Sequence, residues 1–302
     1  MAKRQLRLTL RLARLNAKRT QAEVAEELDW SPSKIMRIEN GQVGVQTSDL
    51  MALLTQYPSL TEQTKKLIEL ARLSRRPTVA SRYRDVLTKD FAEWLGYEAY
   101  ATAIRQYETK FVPGVLQTDD YATGIVNGLL EPGVAADLAD RIVNARFERA
   151  APLLGPEGPK MAFIVDEGVL HRWVGNENGS RGFAGMRAQI NHLRRLNTRG
   201  RRAAGETIEP DLNPNISIQV VPLRLGAYRA LRGPFEIIEF EERDLEPMLY
   251  FENPEGDVVI KEDGDEVARY ADLFASLKET VPPDVETGAI LDSVIRSVPE
   301  LS

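Results

Sequence analysis

The sequence predicts two domains of different class: an all-α N-terminal domain over residues 1–78 and, after a linker at 79–90, an α+β domain over 91–302 with a mostly antiparallel sheet. Three observations predict it. Apolar residues before position 78 recur at helical spacing with no strand signal, whereas short β-rich runs bounded by Gly and Pro gather late in the chain. Strands grouped in this way, without regular βα alternation, favour an α+β layer. The charge also divides: residues 1–78 hold 14 Lys and Arg against 8 Asp and Glu, and residues 79–302 hold 25 against 37. A net charge of −6 for all 302 residues hides a basic module carried by an acidic body.

Each N-terminal helix has its own local signal. Leu8, Leu12 and Leu15 form an apolar stripe on the first, with Arg7, Arg11 and Arg14 on its other faces. Thr20 caps the second, with Glu23 at the capping-box position and Val24, Ala25 and Leu28 facing inward. Ser31 caps the third, Pro32 occupies its first turn, Ile35 and Ile38 are its buried side, and Asn40-Gly41 stops it. The fourth starts near Thr47 or Ser48 and buries Leu50, Leu53 and Leu54. A fifth, Thr61 to Leu73, ends among Arg72, Arg75, Arg76 and Pro77. Residues 74–90 are polar, basic and weakly periodic, which places the domain boundary there.

Beyond the boundary, Ala101 to Val112 reads as a strand leading into Pro113-Gly114, and Asp119 to Leu129 and Ala135 to Ala151 read as helices. Met161 to Val165 is a short buried strand, followed by helices from Asp166 to Val174 and from Phe183 to Asn197. Strands are predicted at Ile216 to Val221, Phe235 to Phe240, Met248 to Glu252 and Val258 to Lys261, separated by turns such as Gly233-Pro234 and Asn253-Pro254-Glu255-Gly256. Helices at about 265–280 and 285–297 flank Pro282-Pro283.

Composition narrows the chemistry. The absence of cysteine removes disulfides, thiolate nucleophiles and cysteine-based metal sites, leaving His171 and His192 as the imidazoles. No cofactor or metal is expected. No run approaches the roughly 18 apolar residues of a membrane span, and MAKRQLRL does not lead into a signal core, so a cytoplasmic, nucleoid-associated protein is expected. Asp166-Glu167 invites an acid/base reading, but adjacent acids at a helix start also serve the cap and the dipole, and no catalytic residue is assigned. His171, four residues beyond Glu167, suits a hydrogen-bonded imidazole, and His192 beside Arg194 and Arg195 a solvated helix face. Glu262-Asp263-Gly264-Asp265, with Glu266, lacks a calcium loop's ligand series and reads as a turn.

Two short helices joined by a tight turn at 20–41 fit the major groove of duplex DNA, the second presenting its early residues to base edges while the first crosses the phosphates. On that geometry Ser33 and Arg37, one helical turn apart, reach bases, with Arg37 suited to guanine. Gln21, Ser31, Pro32 and Lys34 are supporting contacts, and cations of the first helix and the end of the fifth neutralise phosphates. A basic helical bundle without this role is the alternative for any one feature alone. TQAEVAEEL followed by SPSKIMRIENG closely resembles the lambda-repressor-like (XRE) helix-turn-helix family. Asp29 stands where that family commonly has a turn glycine; Asp tolerates the left-handed conformation better than most residues.

Further along, Glu98-Ala99, Phe111-Val112-Pro113-Gly114-Val115-Leu116-Gln117-Thr118-Asp119-Asp120-Tyr121-Ala122, Val165 to Arg172, Ile218 to Pro222, Gly233-Pro234-Phe235 and Tyr250-Phe251-Glu252 resemble the actinobacterial WhiJ-like regulators, in which such a reader precedes a domain of unassigned chemistry. Thr78-Val79-Ala80-Ser81 departs from that family's tryptophan pair. The resemblance implies a developmental or antibiotic-related transcriptional regulator with a small BldB-like partner protein. The Phe111 to Thr118 run has two readings: a strand-to-helix turn with its apolar residues in the core, or a groove of Phe111, Val112, Leu116 and Tyr121 that accepts a partner or ligand. The expected assembly is a homodimer on double-stranded DNA, its recognition helices roughly 34 to 36 Å apart. Rival readings are a protein-interaction scaffold or toxin-antitoxin component, and a DNA-targeted enzyme.

Overall fold

A computed structural model of the chain describes residues 2–39, 43–73, 78–129, 136–174, 180–241, 246–252, 258–261 and 264–297. The expected stop at Asn40-Gly41, the cations Arg75 and Arg76, the 253–256 turn and Glu262-Asp263 lie outside these residues. The chain divides into two compact units, Met1–Thr78 and Val79–Ser302.

The first unit holds α1 (Ala2–Asn16), α2 (Gln21–Glu27), α3 (Pro32–Glu39), α4 (Thr47–Gln56) and α5 (Thr64–Leu73), with a 3-10 turn at Pro58–Gln63 where the start of the fifth helix is expected. Its core gathers Val24 and Ala25 of α2, Ile35 and Ile38 of α3, Leu50 and Leu53 of α4, Tyr57 and Leu67. On α1 the buried stripe is Leu6, Leu10 and Ala13, not the predicted one: Leu12 and Leu15 stay 50% and 51% exposed. Both stripes have the same internal spacing and lie two residues, about 200°, apart around the helix, so periodicity alone does not choose between them.

The second unit opens with α6 (Val79–Arg82) and α7 (Lys89–Glu98), the latter capped by Thr88. Residues 79–90, expected as a linker, are bonded into this unit: Tyr83 and Arg82 reach Glu148, and Asp85 reaches Arg141. Then follow β1 (Ala103–Glu108), α8 (Asp119–Leu129), α9 (Ala136–Leu154), β2 (Lys160–Asp166), α10 (Glu167–Leu170), α11 (Ser180–Leu196), α12 (Thr198–Ala203) and β3 (Ile216–Val221). The chain closes with β4 (Phe235–Glu239), β5 (Met248–Glu252), β6 (Val258–Lys261), α13 (Gly264–Thr280) and α14 (Thr287–Ser297). The helix expected from Asp166 to Val174 is the single turn α10.

The six strands form one sheet in the order β3-β2-β1-β4-β5-β6. It is mixed rather than mostly antiparallel, since β1 pairs parallel with β2 and β2 parallel with β3, while β1–β4, β4–β5 and β5–β6 run antiparallel. The physical reason is the connections. Helices α8 and α9 join β1 to β2, and α10, α11 and α12 join β2 to β3, and crossovers of that length bring the chain back in the same direction. Against one face lies α13, whose Val267, Phe274 and Leu277 share a core with Tyr107, Ile164, Ile237 and Leu249. Along β3 pack α11, α12 and α14.

Candidate nucleic-acid interface

The helix pair α2–α3 is built by local rules. Thr20 and Glu23 close a reciprocal capping box at the start of α2: the Thr20 hydroxyl accepts the Glu23 N–H at 3.2 Å, and the Glu23 carboxylate accepts the Thr20 N–H at 2.7 Å. After α2 the chain turns through Asp29 at φ 52°, and the Trp30 N–H returns to the Ala25 carbonyl at 2.8 Å. The Asp in place of a turn glycine thus takes the left-handed conformation that position demands. Pro32 opens α3 where an N–H is dispensable.

Burial then decides what α3 can show. Ile35, Ile38 and Glu39 turn inward; Ser31, Pro32, Ser33, Met36 and Arg37 are exposed. Arg37 lies along the helix with Nε 3.3 Å from the Ser33 carbonyl, and the Ser31 and Ser33 hydroxyls stand 3.0 Å apart. One guanidinium and two hydroxyls therefore share an open surface of donors and acceptors suited to base edges. Met36, 42% exposed, adds an apolar patch to that surface which the pattern of charges does not reveal.

Two predicted supporting residues have duties inside the unit. The Lys34 ammonium is 2.8 Å from Asp49 Oδ1 and 3.6 Å from the centre of the Trp30 ring, so it ties α3 to α4. Gln21 donates from Nε2 to Glu39 Oε2 at 2.7 Å. That carboxylate also receives Arg14, from Nε at 2.6 Å and Nη2 at 2.9 Å. Burial pushes the Glu39 carboxyl up, but the hydrogen bonds from Arg14 and Gln21, with the attraction of Arg14 and Arg11, outweigh it and hold the group below the ordinary carboxylate range. Arg14, expected among the phosphate-neutralising cations, is 7% exposed and structural. Arg11, Lys65, Lys66 and Arg72 remain on the surface.

Residues 5–58 match a Helix-turn-helix domain, the class to which DNA-binding regulators owe their reading helices, and residues 91–203 and 208–292 match a Domain of unknown function (DUF5753). The chain belongs to the DUF5753 family. No curated protein and no solved structure matches it. Among its described residues no helix is long and apolar enough to cross a membrane.

In the DUF5753 unit the predicted groove is filled. Val112, Leu116 and Tyr121 are 1%, 0% and 2% exposed and pack as core, while Phe111 is half-buried beneath the Arg172 guanidinium. Hydrogen bonds seal the run: Val112 N–H donates to Tyr121 Oη at 3.2 Å, Gln117 Nε2 to the Val112 carbonyl at 2.7 Å, and Gln189 Nε2 to the Leu116 carbonyl at 2.7 Å. These residues turn β1 toward α8 and buttress α11.

Asp166 caps α10 by accepting the Gly168 N–H at 2.8 Å and also accepts the Tyr228 hydroxyl. Glu167 Oε2 accepts the Leu223 N–H at 2.7 Å, and its other oxygen lies 3.6 Å from His171 Nε2. His192, expected on a solvated face, is half-buried, and that burial, with Arg195 nearby, lowers its pKa.

A charged cluster under the sheet escaped the sequence reading. Arg149 of α9 grips Glu98 of α7 from Nε at 2.7 Å and lies 3.7 Å from Glu236 of β4, with both carboxylates 3% exposed. The Trp94 indole stacks on Tyr250 at 4.7 Å. Desolvation pushes the Glu236 carboxyl up to about 8, helped by Glu98 and opposed by Arg149.

Proposed function

We propose that this DUF5753 chain is a sequence-specific transcriptional regulator, with α3 as the helix that reads double-stranded DNA. The observation that carries the reading is the division of α3: Ile35 and Ile38 lock it into the unit while Ser33 and Arg37, one turn apart, stand on its open side beside Ser31. Arg37 suits the O6 and N7 acceptors of guanine, Met36 suits a thymine methyl, and the exposed Arg11 lies with the cations available to phosphates. On this reading the protein acts in the cytoplasm at the nucleoid as a homodimer of the XRE and WhiJ-like type. The DUF5753 unit supplies the pairing and receives a small BldB-like partner that alters DNA affinity. It performs no catalysis, a view supported by the structural duties of Asp166 and Glu167.

Selection from a random duplex library tests the reading. The intact chain is expected to enrich two half-sites about one helical turn apart, with binding that weakens steeply with salt. Arg37→Ala should cost roughly 1 to 3 kcal/mol and relax preference at one base pair per half-site. Equal binding of all duplexes at low salt overturns the proposal.

A further inference from the structure

The segment 222–232 between β3 and β4 divides its residues sharply. Leu225, Tyr228 and Ala230 turn inward onto the core shared with α13, whereas Leu223 and Leu231 are 59% and 47% exposed and Arg224, Arg229 and Arg232 are exposed with them. The other exposed positions are the small residues Gly226 and Ala227, with Gly226 at φ 69° making a bend that a side chain would oppose. Every larger side chain of this loop that stands exposed rather than half-buried is thus leucine or arginine.

The loop is held in that form by neighbouring carboxylates. Glu167 fixes its start through the Leu223 N–H, and Asp166 fixes its middle through the Tyr228 hydroxyl, which the Tyr107 hydroxyl meets at 2.8 Å. The acidic pair singled out in the sequence therefore acts as a double clasp. Such a clasp keeps the outward residues in place before any partner arrives, which reduces the ordering cost of binding.

Charge indicates what would cover them. Residues 79–302 hold 25 basic against 37 acidic residues, yet Arg224, Arg229 and Arg232 have no ion-pair partner among the described residues. We propose that this surface docks an acidic amphipathic segment of another protein, with carboxylates on the three guanidinium groups and apolar side chains against Leu223 and Leu231. Arginine forks match carboxylates, and exposed leucines interspersed with arginine along the loop, with no lysine anywhere in 222–232, suit a protein interface, where arginine is enriched and lysine depleted. A phosphate backbone would satisfy the arginines but leave both leucines in water. This inference gives the partner-binding half of the function above a surface and a chemistry, and it rests on that half alone.

Fluorescence anisotropy on the intact chain tests it, using a labelled synthetic helix with leucine on one face and glutamate on the other. Binding is expected, and Arg224→Ala/Arg229→Ala/Arg232→Ala and, separately, Leu223→Ser/Leu231→Ser should each weaken it by about tenfold or more without changing the melting temperature. Both variants should keep the DNA binding that Arg37→Ala reduces, so the two readings fail separately. The docking proposal is overturned if the peptide does not bind, if it binds both variants as it binds the parent, or if the triple arginine variant loses affinity for non-specific duplex DNA instead. It is equally overturned if sedimentation shows that the arginine variant splits a dimer, since the face would then be covered by a second copy of this chain.

Discussion

Arg14 and Glu39 meet in two hydrogen bonds, 2.6 and 2.9 Å long, beneath the last turn of the helix that presents Ser33 and Arg37. The pair joins α1 to α3 across 25 positions, and Gln21 of α2 completes it. Removing one partner leaves the other charge buried without its counter-ion, held only by a neutral group: Gln21 for Glu39, the Arg19 carbonyl for Arg14. Arg14→Ala or Glu39→Ala should therefore destabilise the first unit by about 3 kcal/mol, whereas Arg14→Met combined with Glu39→Leu should recover most of the loss. Hydrogen exchange of the buried amides of α2 and α3 in the intact chain reads both outcomes.

The same pair sets an acid limit. Glu39 titrates below its unfolded value of about 4.3, so its stabilisation is complete above that pH and is lost as the pH falls through the lower folded value. Protection of α3 should decline with acid over that window. In Glu39→Gln the decline should flatten, and an unchanged profile would show that Glu39 does not govern it.

Arg11 and Arg14, three positions apart on α1, should behave oppositely. Arg11 is exposed and adds the smallest of the attractions that hold Glu39, so Arg11→Ala should lower stability far less than Arg14→Ala while, as a phosphate contact, reducing the slope of log affinity against log salt by about one. Salt titration of DNA binding beside a thermal melt separates the two arginines.

Asp29 is held at φ 52° by the return of the Trp30 N–H to Ala25. A β-branched side chain is strained there, so Asp29→Val should cost about 1 to 2 kcal/mol, while Asp29→Gly should change stability by less than about 1 kcal/mol in either direction. Denaturant melts monitored by the Trp30 environment would show the order.

Glu236 should give the second unit a slope of the opposite sign to that of Glu39. Its folded pKa, about 8, lies above the unfolded value, so the folded state holds more protons and stability falls as the pH rises between them. Glu236→Gln should be more stabilising at pH 8 than at pH 5, about the ordinary carboxylate limit. Melts of the second unit at the two values decide this.

Gly200 of α12 faces the Asp284 carbonyl, which a Cβ would overlap. Asn197 donates to that carbonyl at 2.7 Å and accepts the Ile218 N–H at 3.0 Å, stitching α11, β3 and the 284–286 turn together. Gly200→Ala should therefore cost about 3 kcal/mol, the upper range for overpacking, and lower the melting temperature of the second unit.

Much of the first unit is readable along the chain because caps and turns are agreements between close neighbours. Thr20 and Glu23, three apart, are enough for a capping box, and Asp29 needs only its own backbone preference. In the second unit the strands at Met161 to Val165 and Ile216 to Val221 are visible from their β-branched runs, but not the order in which they pair. A short apolar run such as Val115-Leu116 looks the same whether it lines a groove or fills a core.

Short-range patterns suffice for the basic helical module, the Asp29 turn and the start of α3 at Pro32, since 3.6-residue periodicity and turn preferences act between near neighbours. Contacts across the fold choose which stripe of α1 is buried, bring Arg14 to Glu39, set β1 between β2 and β4, and close the core with Tyr121. The reason is distance along the chain: β1 meets β4 with Ala103 opposite Glu239, and the energy of such contacts belongs to pairs that no local pattern records.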